Sequence, residues 1–262
     1  VSPNARLRPA LLIGCLLMLA LAVHGPIAQY AHYHDFADRR AWLGLSNAAD
    51  VLSNAGFVLA GLWGVLSVLQ REAPPGGRFG WLLAFGGMAL TGLGSGWYHL
   101  QPDDHTLIWD RLPIALACAG LLAAVGSELH GRVRALWPAL WLAFWAVSSV
   151  IWWAWDGDLR PYLLLQALPL ILLPLWYWQM QRRVTEQLLV FGASLCYVLA
   201  KIAELQDHRW FLLLDGMMSG HTLKHVFATL ACGMLVMAYR VGHFSQKGLA
   251  KPAVGRYSSA SL

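Results

Sequence analysis

The chain has 262 residues, of which 58% are hydrophobic and only 13% charged, with a net charge of +5 and a mean hydropathy of +0.50. Soluble domains run nearer about 25% charged, so this composition excludes a soluble globular domain, and it equally excludes a disordered chain, a coiled coil and a collagen-like fibre. An all-α polytopic membrane helix bundle remains, and 14 Trp suit it, because Trp gathers where helices cross the lipid-water interface.

Apolar stretches near the ~20 residues that cross a bilayer core recur eight times, over approximately 9–28, 47–70, 80–100, 107–128, 135–155, 161–179, 187–206 and 218–240. Arg6 and Arg8 before the first run imitate a secretory signal peptide. A good small-x-small cleavage site is missing, however, and the run continues into His24, Pro26 and Gln29, so the stretch reads as a retained helix. Pro74-Pro75-Gly76-Gly77 is a turn signal, Gly157 lies between two aspartates, and Arg182-Arg183 ends a Trp-rich segment. The connectors are too short to be domains, so residues 1–262 form one integral-membrane domain, with a tail over 241–262. Cys15, Cys118, Cys196 and Cys232 sit in apolar runs without metal-type spacing and read as small core residues with no disulfide framework.

Cytoplasmic loops hold the excess of Lys and Arg. With the N-terminus inside, the inner side collects twelve: Arg6, Arg8, Arg71, Arg78, Arg132, Arg134, Arg182, Arg183, Arg240, Lys247, Lys251 and Arg256. The outer side collects only Arg39, Arg40, Arg160 and Arg209. Both termini are therefore expected in the cytoplasm, with the plasma (inner) membrane as location. The positive charge reflects topology and implies no nucleic-acid partner, since no exposed basic face with interleaved aromatics is present.

Ionisable groups inside spans are expensive to bury and mark functional sites. At the outer end of the third span, Ser95 and His99 stand four apart and share a helical face. Trp109-Asp110-Arg111-Leu112-Pro113 opens the fourth, and the eighth begins Ser219-Gly-His221-Thr-Leu-Lys-His225, with two imidazoles about 6 Å apart along one face. The topology from loop charge brings all these groups to the outer half of the membrane.

Catalytic zinc is typically held by three protein ligands with a fourth position open to water, and His99, His221 and His225 can supply the three. Zinc moves the pKa of its water toward neutrality. Asp110 can take the proton and return it to a leaving group, or orient the water. Ser95, one turn below His99, can donate a hydrogen bond to an oxyanion or the water. The alternative is that Ser and His serve only as hydrogen-bonding glue between helices.

Other polar groups have plainer readings. His32, His34 and Asp35 suggest a solvated outer turn, as do Asp103, Asp104 and His105, which could also help admit substrate. Lys201 and Glu204, three apart, suggest an ion pair within one helix or else a proton relay. Asn47, Asp50, Ser53 and Asn54 can hydrogen-bond across helices or brace a metal ligand. Gly92, Gly94 and Gly96, with Gly56, Gly61 and Gly64, point to close helix packing.

Ser95-x-x-x-His99, Asp110 with Leu112-Pro113, and His221-x-x-x-His225, in this order, resemble the alkaline ceramidase family, part of a superfamily of seven-helix membrane hydrolases that also includes the adiponectin and progestin receptors. Leu52-Ser53-Asn54 is similar to the Ser-Asn tract of that family's first core helix. The resemblance spans roughly residues 45–240 and leaves the first helix, 9–28, as an addition to a seven-helix core. It implies a zinc-dependent hydrolase cleaving a lipid amide such as ceramide within the membrane, with His99, His221 and His225 on the metal, Asp110 against its water and Ser95 in the same site. The family's acidic calcium-binding segment reads His34-Asp35-Phe-Ala-Asp38-Arg39-Arg40 here, and Asn47 stands where the family carries a glutamate, which weakens the case for calcium. The wording Trp-Asp-Arg-Leu-Pro looks like bacterial members of the family. The remaining readings are a lipid-binding receptor on the same scaffold and a proton-coupled transporter built around Lys201, Glu204 and Asp110. No large soluble segment supports the first, and no internal repeat supports the second.

Overall fold

A computed structural model describes residues 3–70, 75–130 and 136–244. Arg71, Pro74, Arg132 and Arg134, and the tail beyond residue 244, lie outside the described residues. The described chain is a helical bundle of α1 (Pro3–His24), α2 (Ala48–Ser53), α3 (Ala55–Leu69), α4 (Pro75–Leu100), α5 (Asp104–His130), α6 (Leu136–Asp156), α7 (Arg160–Gln179), α8 (Val184–Leu205), α9 (Asp207–Leu213) and α10 (Gly220–Phe244). Among the described residues, six segments are long and apolar enough to cross a membrane, including Ala48–Leu69, Leu136–Asp156 and Gly220–Gly242. Helix α4 is of similar length but carries more glycine and polar side chains, in keeping with its place between α3 and α5.

The expected spans all fall on helices, with four differences. The first ends at His24 instead of residue 28, because Gly25 takes a left-handed backbone (φ 81) and Pro26 cannot extend a helix. The second is broken at Asn54, where the Asp50 carbonyl accepts from the side chains of Ser53 (3.0 Å) and Asn54 (2.7 Å). Side-chain hydrogen bonds of this kind compete with the helical ladder. The short helix α9 follows α8 where the sequence offered no separate period. Pro75, read within a turn, is instead the first residue of α4, where a missing N–H costs nothing.

Helices α3, α4, α5, α7, α8 and α10 close a ring; α6 packs mainly outside it on α5, and α1 on α7. Outward side chains are apolar. On α6, Trp137, Trp141, Phe144, Ile151 and Trp155 form one exposed stripe at helical spacing. Lipid is the solvent such a stripe requires.

The tightest seam joins α4 to α5. Gly80, Gly87 and Gly94 recur every seven residues, and a Cβ at Gly87 would come within 2.7 Å of the Ala117 amide. At Gly94 it would collide with the Trp109 carbonyl. Backbones can approach this closely only where one side lacks a side chain. On another face of α4, Gly61 of α3 meets Ala89 and Gly64 meets Phe85. The packing expected of these glycines holds, except at Gly96, which has space around it. The four cysteines are free.

Candidate metal centre

The ends of α4, α8 and α10 nearest the irregular segment 25–47 meet at one end of the bundle, together with the start of α2 and α5. Each is fixed by local chemistry. Asp103 and Thr106 cap α5 reciprocally: the Thr106 amide donates to Asp103 Oδ1 at 2.6 Å and the Asp103 amide to Thr106 Oγ1 at 3.1 Å. Asp110 therefore stands two turns into a helix with a fixed start. Ser219 caps α10 through the Thr222 amide (2.9 Å), and Asp207 Oδ1 accepts from the His221 amide (2.7 Å), so two otherwise orphaned donors are satisfied. Asn47, in a left-handed conformation, donates from Nδ2 to the His99 carbonyl at 2.8 Å near the end of α4.

These caps bring together His99 of α4 with His221 and His225 of α10. All three are buried, and each offers a ring nitrogen within 4.8 Å of the others. Ring centroids lie 4.7–5.1 Å apart. His99 Nε2 and His221 Nε2 approach to 3.2 Å. His225 Nδ1 lies 2.7 Å from Ser53 Oγ, which itself donates to the Asp50 carbonyl, so the ring satisfies this contact by donating from Nδ1. That tautomer leaves the lone pair on Nε2, a buried atom without a hydrogen-bond partner, as is His99 Nδ1. Three converging imidazoles, two of which carry an unpartnered nitrogen, can hold a metal ion, and neutral imidazole suits several transition metals.

The surroundings reinforce this geometry. Phe36 covers two of the three rings, its own ring 4.7 Å from both His99 and His221, and screens that side from water. Asp50, fully buried, accepts from Thr222 Oγ1 at 2.6 Å and ties α2 to α10. The Ser53 contact is of the kind that orients metal ligands, whose removal costs about 10- to 100-fold in metal affinity. Ser53→Ala is expected to weaken metal binding by that factor in competition with a chromogenic chelator; unchanged affinity would leave Ser53 a packing residue only.

Asp110 and Ser95 are both buried, with the Ser95 hydroxyl in the neighbourhood of the Asp110 carboxyl. It stands apart from the three-histidine ligand group but lines a cavity of about 1190 Å³ together with His221 and Lys224. Met88, Leu121, Leu173 and Leu235 form the apolar depth of that cavity, and residues 27–33 with Asp35 and Phe36 border its mouth. The sequence-identified residues thus divide between a three-histidine cluster and a carboxyl-hydroxyl pair, joined by one cavity.

Several participants lack a sequence signal. Lys224 Nζ lies 3.2 Å from His221 Nε2 and 2.7 Å from Glu204 Oε1, while Lys201 holds the other oxygen of Glu204 at 2.9 Å. The Lys201–Glu204 pair is present as expected; its extension to Lys224 comes from a different helix. Asp207 also receives the Ala37 amide at 2.9 Å, linking the mouth segment to α10. Arg40 grips Asp38 through two nitrogens, at 2.8 and 2.6 Å, and holds that carboxyl below its ordinary pKa. Asp38 is thereby engaged by an internal cation. Of the outer-turn residues, His32 and Asp35 are exposed as expected, but His34 is half-buried and bridges Tyr98 (2.9 Å) and Asp104 (3.1 Å). Asp103, Asp104 and His105 are exposed.

The sequence matches no protein-family model, and no curated protein matches it.

Proposed function

We propose that the chain is a zinc-dependent intramembrane hydrolase that cleaves a lipid amide. One observation carries this reading: three buried imidazoles, two of them with a nitrogen that has no hydrogen-bond partner, meet beside a lipid-sized cavity that the Asp110 carboxyl also lines. The donor set fits zinc, since two ligands about 2.0–2.1 Å from a tetrahedral ion stand about 3.3 Å apart, near the 3.2 Å between His99 and His221. When bound, zinc supplies a water acidified toward neutrality and a Lewis acid for the scissile carbonyl.

The protein's own groups do the rest. Asp110 receives the proton of the attacking water and passes it to the departing amine, while Ser95 fixes the direction of that carboxyl. Lys224, anchored by Glu204, presents positive charge beside His221, where a carbonyl oxygen gaining negative charge is stabilised. The apolar depth of the cavity takes the acyl chain, and Phe36 keeps bulk water from the histidines. The resemblance to alkaline ceramidases, carried by the same residues, supports an amide as the bond and a ceramide-like lipid as the substrate. Loop charge supports cytoplasmic termini and a site toward the outer face of the plasma membrane.

A proton relay through Lys201 and Glu204 has less support. Glu204 already receives Lys201, Lys224 and, at 3.5 Å, the Tyr33 hydroxyl, so its oxygens are engaged.

The test is incubation of detergent-purified protein with ceramides, N-acyl amino acids and phospholipids, scoring released fatty acid with and without a zinc chelator. Release from an amide lipid that the chelator abolishes is expected. Release from none of the amides, or release indifferent to the chelator, would overturn the reading.

A further inference from the structure

Arg111, next to Asp110 on α5, is a buried cation that lines the cavity and has no ion-pair partner among the described residues. It is only 3% exposed, and its Nη1 is buried without a hydrogen-bond partner. The guanidinium rests 3.8 Å from the Trp153 ring centroid, with Tyr33 at 5.2 Å and Tyr162 at 5.6 Å. Aromatic faces attract a cation and fix its plane, but they leave its in-plane N–H donors to be used elsewhere.

Three of the four carboxylates that line the same cavity are committed. Glu204 is shared by two lysines, and Asp207 accepts two backbone amides. Asp35 pairs with Arg39. Asp110, one residue before Arg111, stands about 100° away around the helix and acts on the guanidinium only through space. No ion pair to Arg111 forms among the described residues. A buried charge held by aromatics alone is costly unless something else completes it.

A chain of contacts links the guanidinium to the histidines. Tyr33, which flanks Arg111, bonds Glu204; Glu204 holds Lys224, and Lys224 touches His221. A head group reaching Arg111 therefore lies at the polar end of the cavity, with its acyl chain directed along the apolar wall.

We propose that Arg111 recognises an oxyanion on the lipid head group, a carboxylate or a phosphate, and that the preferred ligands are lipid amides whose head group carries that anion. Their status as substrates rests on the hydrolase reading above; their binding does not. The planar fork of arginine matches two oxygens of either group, so the two sources need separate arms.

The test is titration of the purified protein, in nanodiscs of neutral lipid, with three ligands that share an oleoyl chain: N-oleoylglycine, N-oleoylethanolamine and its phosphate ester. At least one acidic ligand is expected to bind about tenfold or more tighter than the neutral amide, as a charge-assisted bond implies; which one identifies the group. Arg111→Gln should abolish the difference, and Arg111→Lys, which keeps charge but loses the fork, should reduce it. Equal binding of all three lipids to the unsubstituted protein overturns the proposal even if Arg111→Gln cannot be purified. So does a preference that survives in Arg111→Lys undiminished. Because binding is read without turnover, absence of hydrolysis would remove the hydrolase reading alone, while cleavage of neutral amides with no acidic preference in binding would remove only this one.

Discussion

Replacing His221 and His225 together by alanine is expected to take the zinc content of the purified protein from about one per chain to near zero. Both rings are buried, and they supply two of the three nitrogens that lie within 4.8 Å of one another. His99 alone cannot hold the ion, because a single imidazole forfeits the chelation that makes a three-ligand site tight. Elemental analysis of detergent-purified protein reads the outcome directly, and His225→Gln offers a less disruptive companion, since the ring packs against Phe57 at 5.9 Å. Zinc kept in full by the double variant would show that the cluster is not the metal site.

Asp110→Asn should separate metal from chemistry. The substitution is nearly isosteric, and Asp110 stands outside the ligand group, so zinc should stay at about one per chain. An amide cannot accept the proton, and general acid-base assistance contributes about 10²–10⁴-fold to rate, so kcat on a lipid amide should fall by that factor. Turnover and zinc content must be measured on the same preparation. Undiminished kcat would remove Asp110 from proton transfer, whereas lost zinc would make it a determinant of the metal site.

The parts of this site legible in the sequence are those that obey a helical period. His221 and His225 four apart, Ser95 and His99 four apart, and polar groups in otherwise apolar spans could be placed on faces and at depths before any contact was known. The reach of Ser53 across helices was legible for the same reason, and it falls on His225. Contacts between distant segments were not. Nothing in the run 25–47 signals that Phe36 covers two histidines, and Lys224 reads as one more span lysine until Glu204 of another helix meets it. Arg111 has an aromatic enclosure contributed from residues 33, 153 and 162, a separation no local pattern records. The break at Asn54 escaped because apolar content continues across it while the hydrogen bonding changes.

The glycine seam between α4 and α5 sets a tolerance. Where Gly94 faces the Trp109 carbonyl, main chain rests on main chain, with no rotamer between them to relax or swell. His99 and Asp110 sit five residues beyond Gly94 and one beyond Trp109, so the gap between them is gauged by two stiff rods in direct contact. Chemistry that needs placement within about 0.5 Å is thereby referenced to backbone atoms, and thermal play in the mouth segment has little leverage on it.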